Sequence, residues 1–169
     1  MDKSLGRFLA LPKISDLYSR EEAKKIKENF WTSFGQYMSV VPNVDGEKVT
    51  WVNYKTGIKH LFFRMDADNK HATIAIEIAN PDEGIRALLW EQFKEYEQML
   101  LEELQEEWIW DFDYYDEYGK AKARIFMEIR GVSVFKQEDW PELISFFKPR
   151  IMALDSFWSS AKYGFELFK

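Results

Sequence analysis

Between His71 and Ala79 every second residue is apolar: Ala72, Ile74, Ile76 and Ile78 fall on one side, Thr73, Ala75 and Glu77 on the other. A period of two rich in β-branched residues describes a strand with one face buried and the other mixed. The segment before it repeats the pattern. Over residues 58–66, Leu61, Phe63 and Met65 oppose His60, Phe62, Arg64 and Asp66. Residues 48–54 read as an earlier strand. Lys55-Thr56-Gly57 and Ala67-Asp68-Asn69-Lys70 have turn chemistry, so the three runs are expected to form an antiparallel meander.

Helical periods flank this block. Ser19-Arg20-Glu21-Glu22 has the spacing of a capping box, and Ala23, Ile26, Phe30, Phe34 and Met38 form a stripe that should end near Val41, before Pro42. Asn80-Pro81-Asp82-Glu83 predicts a second helix with Asn80 as N-cap, buried along Ile85, Leu88, Leu89, Phe93, Tyr96, Leu100 and Leu104. Trp108, Trp110, Phe112 and Tyr114 then alternate. After the turn Asp116-Glu117-Tyr118-Gly119, Ala123, Ile125, Met127 and Ile129 oppose Lys122, Arg124, Phe126 and Glu128, which reads as a hairpin. A final helix starts at Asp139-Trp140-Pro141-Glu142, and Pro149 should break or kink it at a cost of about 3 kcal/mol. Gly164 suits its C-terminal cap, and Phe165 to Phe168 form an apolar tail. The expected fold is α+β: a mainly antiparallel five-stranded sheet packed against helices, in the order α-β-β-β-α-β-β-α. Residues 1–18 read as an N-terminal extension and 19–169 as a single domain.

Composition excludes whole classes of chemistry. With no cysteine there is no disulfide, thiol nucleophile or Cys-bound zinc or iron–sulfur cluster. His60 and His71 are the only imidazoles. Gly-x-Ser-x-Gly, P-loop and Gly-x-Gly-x-x-Gly fingerprints are absent. Phe8-Leu9-Ala10-Leu11 is too short for a signal sequence and no run is long enough to span a bilayer, so a cytoplasmic protein with no membrane partner is expected. Net charge is −6, which argues against non-specific nucleic-acid binding while leaving room for a local basic face.

Three sites follow from the pattern. The first six elements match the core order of the restriction-endonuclease-like fold, which would make Asp66 and Glu77 catalytic candidates holding Mg²⁺. Against this, Glu77-Ile78-Ala79 has alanine where such sites carry lysine, and Glu77 has Arg64 or His60 as cross-strand ion-pair partners. The second site is the mixed face of the sheet, where His60, Phe62, Arg64, Lys122 and Arg124, with Asp111 and Asp113, form a binding surface for protein or nucleic acid. A solvated face with internal ion pairs is the alternative. The third is self-association as a homodimer through Trp31, Trp90, Trp140 and the 165–168 tail, since aromatics amount to 17% of the chain and are enriched at interfaces. Otherwise those rings complete the core. Apart from Mg²⁺ under the nuclease reading, no cofactor is expected, and a binding or accessory role outweighs an enzymatic one.

Phe30-Trp31-Thr32-Ser33-Phe34, Trp51-Val52-Asn53-Tyr54-Lys55-Thr56-Gly57, Phe62-Phe63-Arg64-Met65-Asp66, Asp139-Trp140-Pro141, Phe146-Phe147-Lys148-Pro149-Arg150 and Asp155-Ser156-Phe157-Trp158 resemble an uncharacterised bacterial family, domain of unknown function 4268. The resemblance runs from about Lys25 to the C-terminus. Its members resemble one another as small stand-alone proteins or as modules beside nuclease-like domains. That implies a DNA-related or defence setting and supplies no catalytic residues.

Overall fold

The computed structural model describes residues 14–169, with side chains from Ser19 onward. The sequence motif at residues 8–11 and most of the 1–18 extension therefore lie outside the described residues. Helix α1 spans Ile14–Met38, so the capping signal at Ser19 falls inside it. Among its described side chains, Phe30, Phe34 and Met38 are fully enclosed, while Ala23 and Ile26 are half-buried. Strands β1 (Leu61–Ala67) and β2 (His71–Ile78) follow as a hairpin. Then come helices α2 (Glu83–Glu95) and α3 (Glu97–Leu104), a second hairpin of β3 (Ile109–Tyr115) and β4 (Ala121–Arg130), and helix α4 (Trp140–Ala161) between short 3-10 turns.

Among the described residues the sheet has four strands in the order β1-β2-β4-β3, and every neighbouring pair is antiparallel. The expected five-stranded sheet is therefore corrected to four. Residues 48–54 form an irregular loop instead of a strand. Trp51 is buried, but its Nε1 donates to the Val41 carbonyl (2.9 Å), and Asn53 takes a left-handed φ of 63° that ends any extension. The loop adds one isolated bridge to the sheet edge, Lys55↔Phe62. Alternation there records side chains alternating between core and solvent, with no ladder behind it. Without that strand the α-β-β-β-α-β order is absent, and the restriction-endonuclease-like core topology goes with it.

The helices cover one face of the sheet. Leu61, Phe63, Ile74, Ile76, Ile78, Ala123 and Ile125 point into this core, as the period-two reading expects. Each buried ring removes roughly 150–250 Å² from water, and Phe93, Phe157, Trp158 and Phe165 form one connected aromatic group at its centre. The apolar tail is therefore partly core: Phe165 is fully buried, whereas Leu167 is 97% exposed. Trp31, Trp90 and Trp140 are half-buried against the same core, and Trp140 Nε1 donates to the Val134 carbonyl (2.7 Å).

Five local expectations also change. The second helix is divided at Tyr96 (φ −100°, ψ 11°), and its N-cap is Asp82, whose side chain accepts from the Ile85 N–H. Its buried stripe is rotated: Leu88 is 61% exposed, while Arg86 is enclosed and donates to the Asn80 and Pro81 carbonyls. Pro149 lies inside an unbroken α4. Burial of Phe146, Phe147, Ile151 and Leu154 on either side of it outweighs the one lost hydrogen bond. Gly164 belongs to a 3-10 turn, where a Cβ would stand 2.1 Å from Tyr96 Oη; close approach, not a left-handed cap, demands the glycine.

Candidate binding face

The face of the sheet turned away from the helices is built from the even residues of β1 and β4, the odd residues of β2, and part of β3. Register places Phe62 beside Glu77, Glu77 beside Arg124, and Arg124 beside Asp111. Glu77 is buried, and its Oε1 accepts from Arg64 Nε (3.0 Å) and Lys122 Nζ (2.8 Å). Lys122 also reaches Asp116 Oδ2 at 3.1 Å. Burial alone would lower the Lys122 ammonium pKa, but hydrogen bonds to Glu77 and Asp116 overcome it and raise it above the ordinary lysine value. The Lys120 backbone N–H, helped by Lys122 and the Tyr118 N–H, holds the Asp116 carboxyl below its ordinary value. Ion pairing thus accounts for Arg64, Lys122, Glu77 and Asp116 together.

Arg124 is different. Its guanidinium lies 3.8 Å from the ring centroids of both Tyr114 and Phe126, and its buried Nε has no hydrogen-bond partner. Among the described residues it forms no ion pair, although Asp111 is its register neighbour. Cation–π contact with two rings holds the guanidinium in place. On β1, Arg64 repeats half of this arrangement, 4.1 Å from the Phe62 centroid.

Of the residues expected to share a site, the fold brings Phe62, Arg64, Glu77, Lys122, Arg124 and Asp111 onto one face. His60 precedes β1 with φ 63°, and its carbonyl accepts from the Ala79 N–H. Asp66 is exposed and pairs with Lys27 of α1 at 3.2 Å. Asp66 aligns with Thr73 and Glu77 with Phe62, so the two carboxylates stand four ladder positions apart, about 13 Å along the strands. They do not form one site. Among the described residues no group of three or more His, Cys, Asp or Glu side chains is arranged to hold a metal ion.

Sequence reasoning missed Tyr114 and Asp116. A register shift between Asp111 and Tyr114 sets Phe112 and Asp113 against Ala123, and the extra residue moves Tyr114 from the helix side to the open face. Trp110 and Phe112 stay behind it against Trp90. The sequence offers no signal for this shift, because Asp111 and Asp113 alternate regularly with Trp110, Phe112 and Tyr114.

A second feature adjoins this face. Along the free edge of β1 runs a groove of about 840 Å³, lined by Trp31 of α1, by the 52–59 loop and by β1 itself. The loop is anchored from below. Asp155 of α4 is buried and accepts from the Val44 N–H (2.8 Å) and the Tyr54 hydroxyl (2.5 Å), while Trp158 Nε1 donates to the Thr56 carbonyl (2.8 Å). Burial, then the hydrogen bond to Asp155, pushes the Tyr54 hydroxyl far above the ordinary tyrosine pKa.

Residues 26–162 match the family model described as Domain of unknown function (DUF4268), which is more than half of the chain. The chain belongs to the DUF4268 family. The match contains every residue of the open face and the groove of this DUF4268 chain. No curated protein and no solved structure matches it. Among the described residues no helix is long and apolar enough to cross a membrane.

Proposed function

We propose that this DUF4268 chain is a non-enzymatic protein-binding module that presents the open face of its sheet, with Arg124 anchoring a carboxylate of the partner. The supporting observation is the guanidinium of Arg124, without an ion-pair partner among the described residues and in contact with the Tyr114 and Phe126 rings, on a face where Arg64 and Lys122 each have a carboxylate. Rotamer entropy is spent in the free protein, so a bidentate contact to a partner acid loses little more on binding. Arginine and tyrosine are also the residues that dominate interface energetics.

Charge balance favours a protein over a nucleic acid. Glu77 and Asp116 pair with Arg64 and Lys122, and Asp111 lies beside Arg124 in register without pairing to it, so acids interrupt the face and it offers no continuous cationic track for a phosphate backbone. A divergent nuclease has less support, because Asp66 and Glu77 are separated and both are engaged by cations. The DNA-related or defence setting suits an accessory protein contacting another protein.

The test is a photo-crosslinking amino acid at Ile109, which is exposed and registers with Phe126 on this face. The chain is expressed in its own host and adducts are identified by mass spectrometry. A protein adduct at Ile109 that disappears with Arg124→Ala, and is not formed from exposed Glu102 of α3, is the expected result. Adducts to nucleic acid, to a second copy of the chain, or insensitive to Arg124→Ala would overturn the proposal.

A further inference from the structure

Among the described residues strand β1 is an edge: β2 pairs with it on one side, and on the other only Lys55 bridges to Phe62. Backbone parity says which groups face outward. Ala79 N–H donates to the His60 carbonyl (2.8 Å) and Asp68 N–H to the His71 carbonyl (2.9 Å), bracketing the β1–β2 ladder. Even-numbered residues of β1 therefore exchange bonds with β2, and odd-numbered residues turn their N–H and C=O groups outward. Leu61 is already served, since its carbonyl accepts from Thr56 Oγ1 at 2.9 Å, and the Ala67 N–H donates to Asp66 Oδ1. Met65 is left with both backbone groups unpartnered among the described residues, directed into the groove it helps to line.

The groove has a cationic rim on a chain whose net charge is −6. Lys55 and Lys59 are exposed on the loop and Arg64 is half exposed on the strand, whereas the one lining acid, Asp66, is matched by Lys27. Its wall is apolar, formed by Trp31, Phe63 and Met65. About 840 Å³ is within the range of cavities that enclose specific ligands.

We infer that this groove receives an extended acidic segment of a partner protein, which adds to the edge of β1 as a fifth strand. Backbone bonds to Met65 set its register, an apolar side chain packs on the Trp31–Met65 wall, and acidic side chains face Lys55 and Lys59. This goes beyond the open-face reading and does not depend on it, because Arg124 lies on β4, two strands away.

The test pans a random peptide display library against the full-length chain and follows the selected peptides by titration and by amide exchange. Selected sequences are expected to be acidic with at least one large apolar residue, and their binding to slow exchange at the Met65 amide. Reversing charge with Lys55→Glu and Lys59→Glu together should weaken them roughly tenfold. Met65→Pro removes the outward N–H yet spares the β1–β2 ladder, so binding should be lost with the fold intact. If that variant does not fold, N-methylation of alternate peptide amides replaces it, with binding lost in one parity only. Arg124→Ala should leave peptide affinity unchanged. Selection of basic sequences or of none, unchanged Met65 exchange in the complex, or sedimentation showing a dimer paired through β1 would overturn the inference. With no selection, the lysines would remain simply as guards of an exposed edge.

Discussion

Replacing Tyr54 by phenylalanine removes one hydroxyl and, by the geometry of its surroundings, loosens the whole 43–56 loop. Asp155 is only 3% exposed and takes hydrogen bonds from the Val44 N–H and the Tyr54 hydroxyl. A hydrogen bond to a charged acceptor contributes about 1.5–3 kcal/mol, and the deletion leaves a buried carboxylate oxygen with less solvation. Tyr54→Phe should therefore cost about 2 kcal/mol. Asp155→Ala strands both donors, a loss partly offset because a buried charge no longer has to be desolvated; about 3 kcal/mol is expected. Since both variants break the same bond, the double variant should fall short of their sum by about 1–2 kcal/mol. Urea unfolding followed by tryptophan fluorescence measures all three, and amide exchange should show residues 43–56 opening before β2 and β4. Additive losses, or a Tyr54→Phe cost below about 0.5 kcal/mol, would refute the idea that Asp155 anchors the loop.

Further outcomes follow from the same packing. Gly164→Ala places a Cβ 2.1 Å from Tyr96 Oη and 2.8 Å from Cζ, so it should cost about 1–3 kcal/mol by thermal melting. Tyr96→Phe should restore only part of this, because the ring carbons still collide. Glu77→Gln leaves Lys122 and Arg64 without their shared carboxylate; a loss of about 2 kcal/mol is expected, reduced by the exposure of Arg64, and unfolding of Glu77→Gln against Arg64→Ala should be non-additive. Folded-state pKa values of Lys122 and Tyr54 lie above their ordinary values of 10.5 and 10.0, so their stabilisation is complete below about pH 10 and falls as pH rises beyond it. Asp116 is lowered by the Lys120 N–H and Lys122. Asp68 is lowered too: its partial burial opposes this but is outweighed by the Lys70 and His71 N–H groups and the His71 side chain. These carboxylates stabilise above about pH 4 and lose that contribution on acidification. Melting temperature against pH should form a plateau, with Asp116→Asn flattening the acid limb and Tyr54→Phe the alkaline one.

Periodicity alone determined much of this molecule. A strand at Ile74, Ile76 and Ile78, its partner at Leu61 and Phe63, the second hairpin and the α+β class all follow from which side chains alternate, because burial on one face of a pleated strand imposes a period of two. The gathering of Phe62, Arg64, Glu77, Lys122 and Arg124 on one surface was legible for the same reason. Tertiary structure decided the rest. Residues 48–54 alternate like a strand, but hydrogen bonds from Tyr54 to Asp155 and from Trp158 to Thr56 recruit the adjoining loop to a helix, over a hundred residues away in sequence. A single extra residue in β3 turned Tyr114 onto the open face, and local alternation carries no mark of which residue a partner strand will skip. Pro149 stays helical because its neighbours are buried, an energy that belongs to the assembled core. The edge groove exists only because the 52–59 loop folds over β1 without pairing along it, and that choice was made by the contacts beneath the loop.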